Sequence, residues 1–151
     1  MPVDRKQVEE ALKIVWYIVG IIAGIVQIKF YLFGDPPQRI PERLPLDALI
    51  KIKDELKNMK RALRRFDPEE FVKHYNNVKE DLLKLVPGIE IENLSIEMVE
   101  PAFKNMQKEF KETRRRPLGY YIIRAFISVS LYPLLAQIIE SIKKFGSSSN
   151  F

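Results

Sequence analysis

The side chains that could do chemistry in this chain are few and scattered. The 151 residues hold one histidine, His74, and no cysteine, which excludes thiolate catalysis, disulfides and cysteine metal sites. No second histidine or carboxylate pair stands at ligand spacing from His74. We therefore expect a surface or partly covered histidine, no bound metal and no cofactor.

Two pairs of adjacent carboxylates, Asp54–Glu55 and Glu69–Glu70, are the remaining acid–base candidates. Adjacent residues on a helix point in different directions, so neither pair can converge on one substrate atom. No glycine-rich loop with a lysine follows a strand, which leaves phosphate cradling of that kind unsupported. The sequence predicts a protein that is not an enzyme.

Arginines form two clusters, namely Arg61 with Arg64 and Arg65, and the run Arg114, Arg115 and Arg116. The run has three interpretations: a basic flank at membrane headgroups, a solvated helix end, or a patch for nucleic-acid phosphates. The net charge is +5, but residues 35–116 carry 18 Lys or Arg against 16 Asp or Glu. The positive and negative charges of this region are nearly balanced, which indicates a solvated surface. Nucleic acid is the least favoured partner, because no base-reading motif accompanies the arginines.

Helix signals organise the chain, and we predict an all-α fold of five helices at 4–33, 46–66, 68–86, 95–115 and 118–144. Asp67, Pro68 and Glu70 form a capping pattern, while prolines break the chain elsewhere and Pro133 predicts a kink. The expected organisation is an N-terminal apolar helix (1–34), a Pro-rich linker (35–45), an amphipathic three-helix region (46–116), a C-terminal apolar helix (117–145) and a flexible tail (146–151).

The middle helices carry apolar residues three and four apart, which puts one narrow apolar stripe on each otherwise charged helix. These stripes predict a small amphipathic bundle bracketed by the two long apolar helices. Its expected core residues are Leu56, Met59, Leu63, Leu82 and Phe103.

The terminal helices are the most apolar part of the chain. Ile14–Phe33 exceeds the usual hydropathy threshold for a membrane-spanning helix, and Tyr121–Ile139 is borderline. On the first helix, small and polar residues line up within about 40° of one line at 100° per residue. We call this line the seam, and it consists of Lys13, Tyr17, Gly20, Gly24, Gln27 and Tyr31. Gly20 and Gly24 form a GxxxG pair, which favours close helix packing against a second copy or the last helix.

Three hypotheses of function follow, of which nucleic-acid packaging through the arginine clusters is the least favoured. In the leading one the protein is a non-enzymatic, membrane-associated scaffold whose terminal helices form a hairpin in the lipid bilayer, acting through protein–protein contacts. Eight basic residues flank the hairpin on the side of residues 35–116 and five on the other, which favours placing residues 35–116 in the cytoplasm. The alternative is a cytoplasmic, dimeric helical bundle that binds itself or another helical protein.

Overall fold

The computed structural model describes residues 5–33, 46–86 and 88–148, with side chains up to Phe30 in the first range and up to Lys144 in the last. The predicted linker at 35–45, the side chain of Tyr31 and residues 149–151 lie outside this description.

The described chain is all-helical, which confirms the predicted fold class. The elements are α1 (Arg5–Phe33), α2 (Leu46–Arg64), α3 (Pro68–Leu85), α4 (Ile96–Thr113), α5 (Leu118–Ala125), a π-helical stretch (Phe126–Leu131) and α6 (Tyr132–Ser148). The last three form one continuous rod, so the described residues make five rods, and no strand occurs among them. The final rod continues four residues beyond the predicted end at 144, into the expected tail.

Local sequence explains where helices start and how prolines are accommodated. The Asp67 carboxylate accepts a hydrogen bond from the Glu70 backbone N–H at 3.2 Å, with Pro68 at the first helical position of α3. Pro133 has no N–H to donate four residues back. The chain widens into a π-helix just before it, with the Tyr132 N–H donating to the Ile127 carbonyl five residues earlier.

The five rods form a closed ring in which four neighbouring pairs are antiparallel and one pair, α1 with the α5–α6 rod, is parallel. Contacts run from α1 to the α5–α6 rod, then to α2, α3 and α4, and from α4 back to α1.

Individual contacts give the direction of each pair of rods. Phe71 meets Phe103 and Asn76 reaches Leu94, so α3 and α4 are antiparallel. Tyr75 lies beside Tyr17 and Leu82 beside Gly24, so α1 runs parallel to α3. Tyr132 reaches Lys53 and Arg116 reaches Arg64, which makes the α5–α6 rod antiparallel to α2 and therefore parallel to α1.

One hydrophobic core joins all five rods. The predicted core residues Leu56, Met59, Leu63, Leu82 and Phe103 are buried, as predicted. The middle helices do not close a bundle by themselves, because α1 contributes a row of isoleucines to the same core. We call this row the inner stripe, and it consists of Ile14, Ile18, Ile21, Ile25 and Ile28, all at most 1% exposed.

Two helical segments, Arg5–Phe30 and Leu118–Lys144, are long and apolar enough to cross a membrane. A two-span hairpin requires its helices to run in opposite directions. Here α1 and the α5–α6 rod run in the same direction, with α3 and α4 packed along α1 rather than beyond its end. The hairpin that we expected is therefore not the arrangement of these helices in the folded bundle.

Candidate functional site

A second apolar row runs along α1, opposite the inner stripe. Its members are spaced 4, 3, 4, 3 and 4 residues apart, and we call it the outer stripe: Leu12, Trp16, Val19, Ala23, Val26 and Phe30. Trp16 is 67% exposed and Phe30 69% exposed. Large apolar side chains aligned on a surface mark an interaction site more often than isolated ones do.

The last rod extends this apolar surface. Leu118, Tyr121, Ala125 and Val129 are exposed, with Val129 at 71%. Because α5 packs beside α1 in the same direction, the helical positions of these residues place them on the same side of the bundle as the outer stripe. We call the outer stripe together with these four residues the outer face.

Small residues allow α1 and α5 to approach closely, but they are not the glycines of the seam. A Cβ placed on Gly119 would lie 3.1 Å from the Ala11 Cβ and 3.6 Å from the Met106 sulfur. The helix pair therefore depends on Ala11 and Gly119, at the beginning of each rod.

The seam residues take different positions in the structure. Gly24 is buried, and a Cβ placed there would lie 3.2 Å from the Ile91 Cδ1. Gly20 has nothing within 4 Å of its Cβ position. Lys13 and Gln27 are exposed. The two glycines therefore lie in different environments: Gly24 packs against the segment between α3 and α4, and Gly20 does not.

Tyr17, the remaining described seam residue, packs edge-to-face against Tyr75 with ring centroids 6.2 Å apart. The Tyr75 hydroxyl donates to the Glu92 carbonyl at 3.0 Å and to the Tyr17 carbonyl at 3.4 Å. Burial raises the pKa of Tyr75, so its hydroxyl remains a neutral donor. These bonds hold the segment between α3 and α4 over the seam side of α1, with Glu90 and Glu92 exposed at its edge.

Arg114 and Arg116, the two ends of the arginine run 114–116, make different structural contacts. Arg114 ends α4 with a left-handed backbone, and its N–H donates to the Phe110 carbonyl. The guanidinium of Arg116 lies among three aromatic rings and donates to the Arg64 carbonyl at 2.8 Å. Its Cζ is 4.6 to 5.2 Å from the ring centroids of Phe66, Phe110 and Tyr120, within cation–π range. Arg116 therefore joins the ends of α2, α4 and α5.

The other arginine cluster contributes to a basic cleft between α2 and α5. The cleft has a volume of about 260 Å³ and is lined by Lys57, Lys60, Arg61, Arg64 and Arg124. No carboxylate lines it, and none of the five forms an ion pair within the described residues. Arg65, the third member of the sequence cluster, does not line the cleft; it lines a second depression, together with Arg61, beside Asp67 and Glu70.

His74 is occupied by structural contacts. Its Nδ1 lies against the Glu55 carboxylate, and its Nε2 is 3.2 Å from a Glu70 carboxylate oxygen. The three side chains tie α2 to α3. Within the described ranges, no three His, Cys, Asp or Glu side chains are placed to hold a metal ion.

Comparison with protein-family models, with curated proteins and with solved structures finds no match for this chain. The two surfaces found here, the outer face and the basic cleft, were not anticipated as sites. The α2 residues 57, 60, 61 and 64 share one side of a helix, which is a signal visible in the sequence. Arg124 is about sixty residues away in the chain, and only the packing of α5 against α2 brings it to the cleft.

Proposed function

We propose that this protein is a non-enzymatic helical interaction module that assembles with a second copy through its outer face. The observation that carries the proposal is the outer stripe. It has the 3–4 spacing of a helix-packing surface, and five of its six residues are exposed although one buried core already joins all five rods.

The edges of the outer face favour a second copy as the occupant. Glu90 and Glu92 line a groove beside Trp16 on one edge, and Arg124 lies on α5 at the other edge. A two-fold axis parallel to α1 would place the acidic edge of each copy opposite the basic edge of the other. Such opposite charges support a specific orientation of the two copies more than they add affinity.

A membrane-associated scaffold, with residues 35–116 on the cytoplasmic side, is the second candidate. Its support is the length and apolar character of two helices. Spanning would require the bundle to open, because the inner stripe is buried against amphipathic helices and the two rods are parallel. The outer face resting on a bilayer surface, with its aromatic residues at headgroup level, needs no such opening.

The mass of the detergent-free protein, measured by light scattering after gel filtration, tests the proposal. We expect a dimer for the native chain and a monomer for Trp16→Glu, because a carboxylate at the centre of the interface would lose its solvation. The matched control is Gln27→Glu, which adds the same charge at an exposed position of α1 off the outer face and should remain dimeric.

Both variants should keep the native helical circular dichroism, since each changes an exposed side chain. A monomeric native chain, or a dimer that Trp16→Glu leaves intact, would contradict self-association through the outer face. If the native chain instead sediments with membranes and needs detergent for extraction, the second candidate replaces the first.

A further inference from the structure

The cleft between α2 and α5 is lined by five cationic side chains and by no carboxylate of the described residues. On the α3 side of α2, cations and carboxylates alternate, as in the contacts of Lys51 with Asp81 and of Glu55 with His74. The α5 side of α2 carries four cations, each with two of the others three or four residues away: Lys57, Lys60, Arg61 and Arg64. Arg124 faces them from α5. Like charges at these spacings destabilise a helix. The five cations converge on one cleft that no carboxylate of the described residues lines, so the cleft is suited to an anionic ligand.

The residues next to the cleft do not neutralise its positive charge. The ring of Tyr132 lies under the Lys60 ammonium group, which is 5.4 Å from the ring centroid. Burial, together with the negative charge of Asp54, raises the pKa of Tyr132, so the phenol does not become a counter-ion. Asp54 itself stands one turn before Lys57 on α2 and does not line the cleft.

We propose that the cleft binds a small, multiply charged phosphate compound, either free in solution or as the headgroup of a phospholipid. Three guanidinium groups offer forked N–H donors that match phosphate oxygens, and the two lysines add mobile point charges. The volume of about 260 Å³ suits a few linked phosphate groups rather than a macromolecule. The proposal shares one residue with the proposed self-association, because Arg124 lines the cleft and also lies at the basic edge of the outer face; the four α2 cations lie outside that face.

The test uses inorganic tripolyphosphate as the probe, with binding to the full-length protein measured by calorimetry. We expect saturable, salt-sensitive binding with a rise in melting temperature, since a ligand that prefers the folded state stabilises it. Lys60→Gln combined with Arg64→Gln should weaken binding about tenfold or more, because two charge-assisted contacts are lost from the α2 wall of the cleft. Arg65→Gln removes one positive charge from α2 outside the cleft and should bind as the native chain does.

Vesicles and DNA identify the source of the phosphate. Capture by phosphatidic acid vesicles but not by phosphatidylcholine vesicles, abolished in the double variant, would support a lipid headgroup. Tripolyphosphate binding without vesicle capture would support a soluble phosphate compound. No binding of either probe would overturn the proposal. So would binding that increases with the length of single-stranded DNA and falls equally in the Arg65→Gln variant, because it would indicate a general basic surface.

Discussion

The two apolar stripes of α1 have the same residue spacing but differ in solvent exposure. The inner stripe is at most 1% exposed, whereas Trp16 and Phe30 of the outer stripe are more than half exposed. Both rows repeat at three and four residues, and both consist almost entirely of apolar side chains. Periodicity therefore identifies the faces of a helix, but the neighbours decide which face is covered. In this bundle α3, α4 and the α5–α6 rod surround three sides of α1.

The largest expected effect breaks the covered side. Ile21 is completely buried, so Ile21→Ala should lower the free energy of unfolding by about 2–5 kcal/mol through lost burial and the cavity that remains. Urea denaturation measures this change. Val19→Ala on the outer stripe is the matched control and, at a protein concentration low enough for the chain to be monomeric, should change it by less than about 0.5 kcal/mol, as at ordinary surface sites. Equal losses would mean that the two stripes are not covered differently.

The sequence was most informative where residues interact with near neighbours. The capping pattern around Asp67, the proline breaks and the 3–4 stripes placed five helices within a few residues of their observed ends. Local signals of this kind depend only on the chain within one or two turns. They also identified Leu56 and Phe103 as core residues, because each middle helix has only one apolar face to bury.

The sequence was least informative for α1, which is apolar on nearly every side. Hydropathy cannot separate a core helix with one uncovered face from a membrane span, because both lack charged residues. The alternation of Ile89, Glu90, Ile91 and Glu92 was a usable signal: the isoleucines are buried and the glutamates exposed. That these isoleucines cover Gly24 depends on a contact nearly seventy residues apart in the chain, which local patterns do not reveal.

The second prediction concerns the cover over the seam side of α1. Tyr75→Phe removes the hydroxyl that donates to the Glu92 and Tyr17 carbonyls and should cost about 1 kcal/mol. Amide exchange should accelerate in the segment 88–95 while that of α2 changes little. An effect spread evenly over all helices would instead mean that the hydroxyl does not hold this segment in particular.

The same variant has a pH signature. Burial raises the pKa of Tyr75 above its ordinary value of 10.0, so the folded state holds this proton more tightly than the unfolded chain does. The contribution of the neutral Tyr75 hydroxyl to the free energy of unfolding is therefore complete below pH 10.0 and is lost as the pH rises above that value. Unfolding measured at increasing alkaline pH should show a shallower loss of stability for Tyr75→Phe than for the native chain.

The third prediction separates the two seam glycines. Gly20→Ala meets no atom within 4 Å and should stabilise the protein by about 0.5–1 kcal/mol, because alanine loses less backbone entropy in a helix. Gly24→Ala has the same helix propensity, but its Cβ would lie 3.2 Å from the Ile91 side chain, so its gain should be smaller or absent. Equal gains in thermal melting would show that the 88–95 segment does not press on Gly24.

The smallest expected change in stability is on the outer stripe itself, at Trp16. Because Trp16 is 67% exposed, Trp16→Gln should alter the unfolding free energy of the monomeric bundle by less than about 0.5 kcal/mol. If two copies pair through the outer face, the same change should lower the self-association constant strongly, since buried tryptophans are frequent interface anchors. Unfolding measured over a range of protein concentrations separates these effects, because only the dimer is stabilised by mass action. For the native chain we expect the unfolding midpoint to rise with protein concentration. For Trp16→Gln we expect the midpoint to be nearly independent of concentration and equal to the midpoint of the native chain at high dilution. A native midpoint independent of concentration would leave the outer stripe without a second copy to cover it.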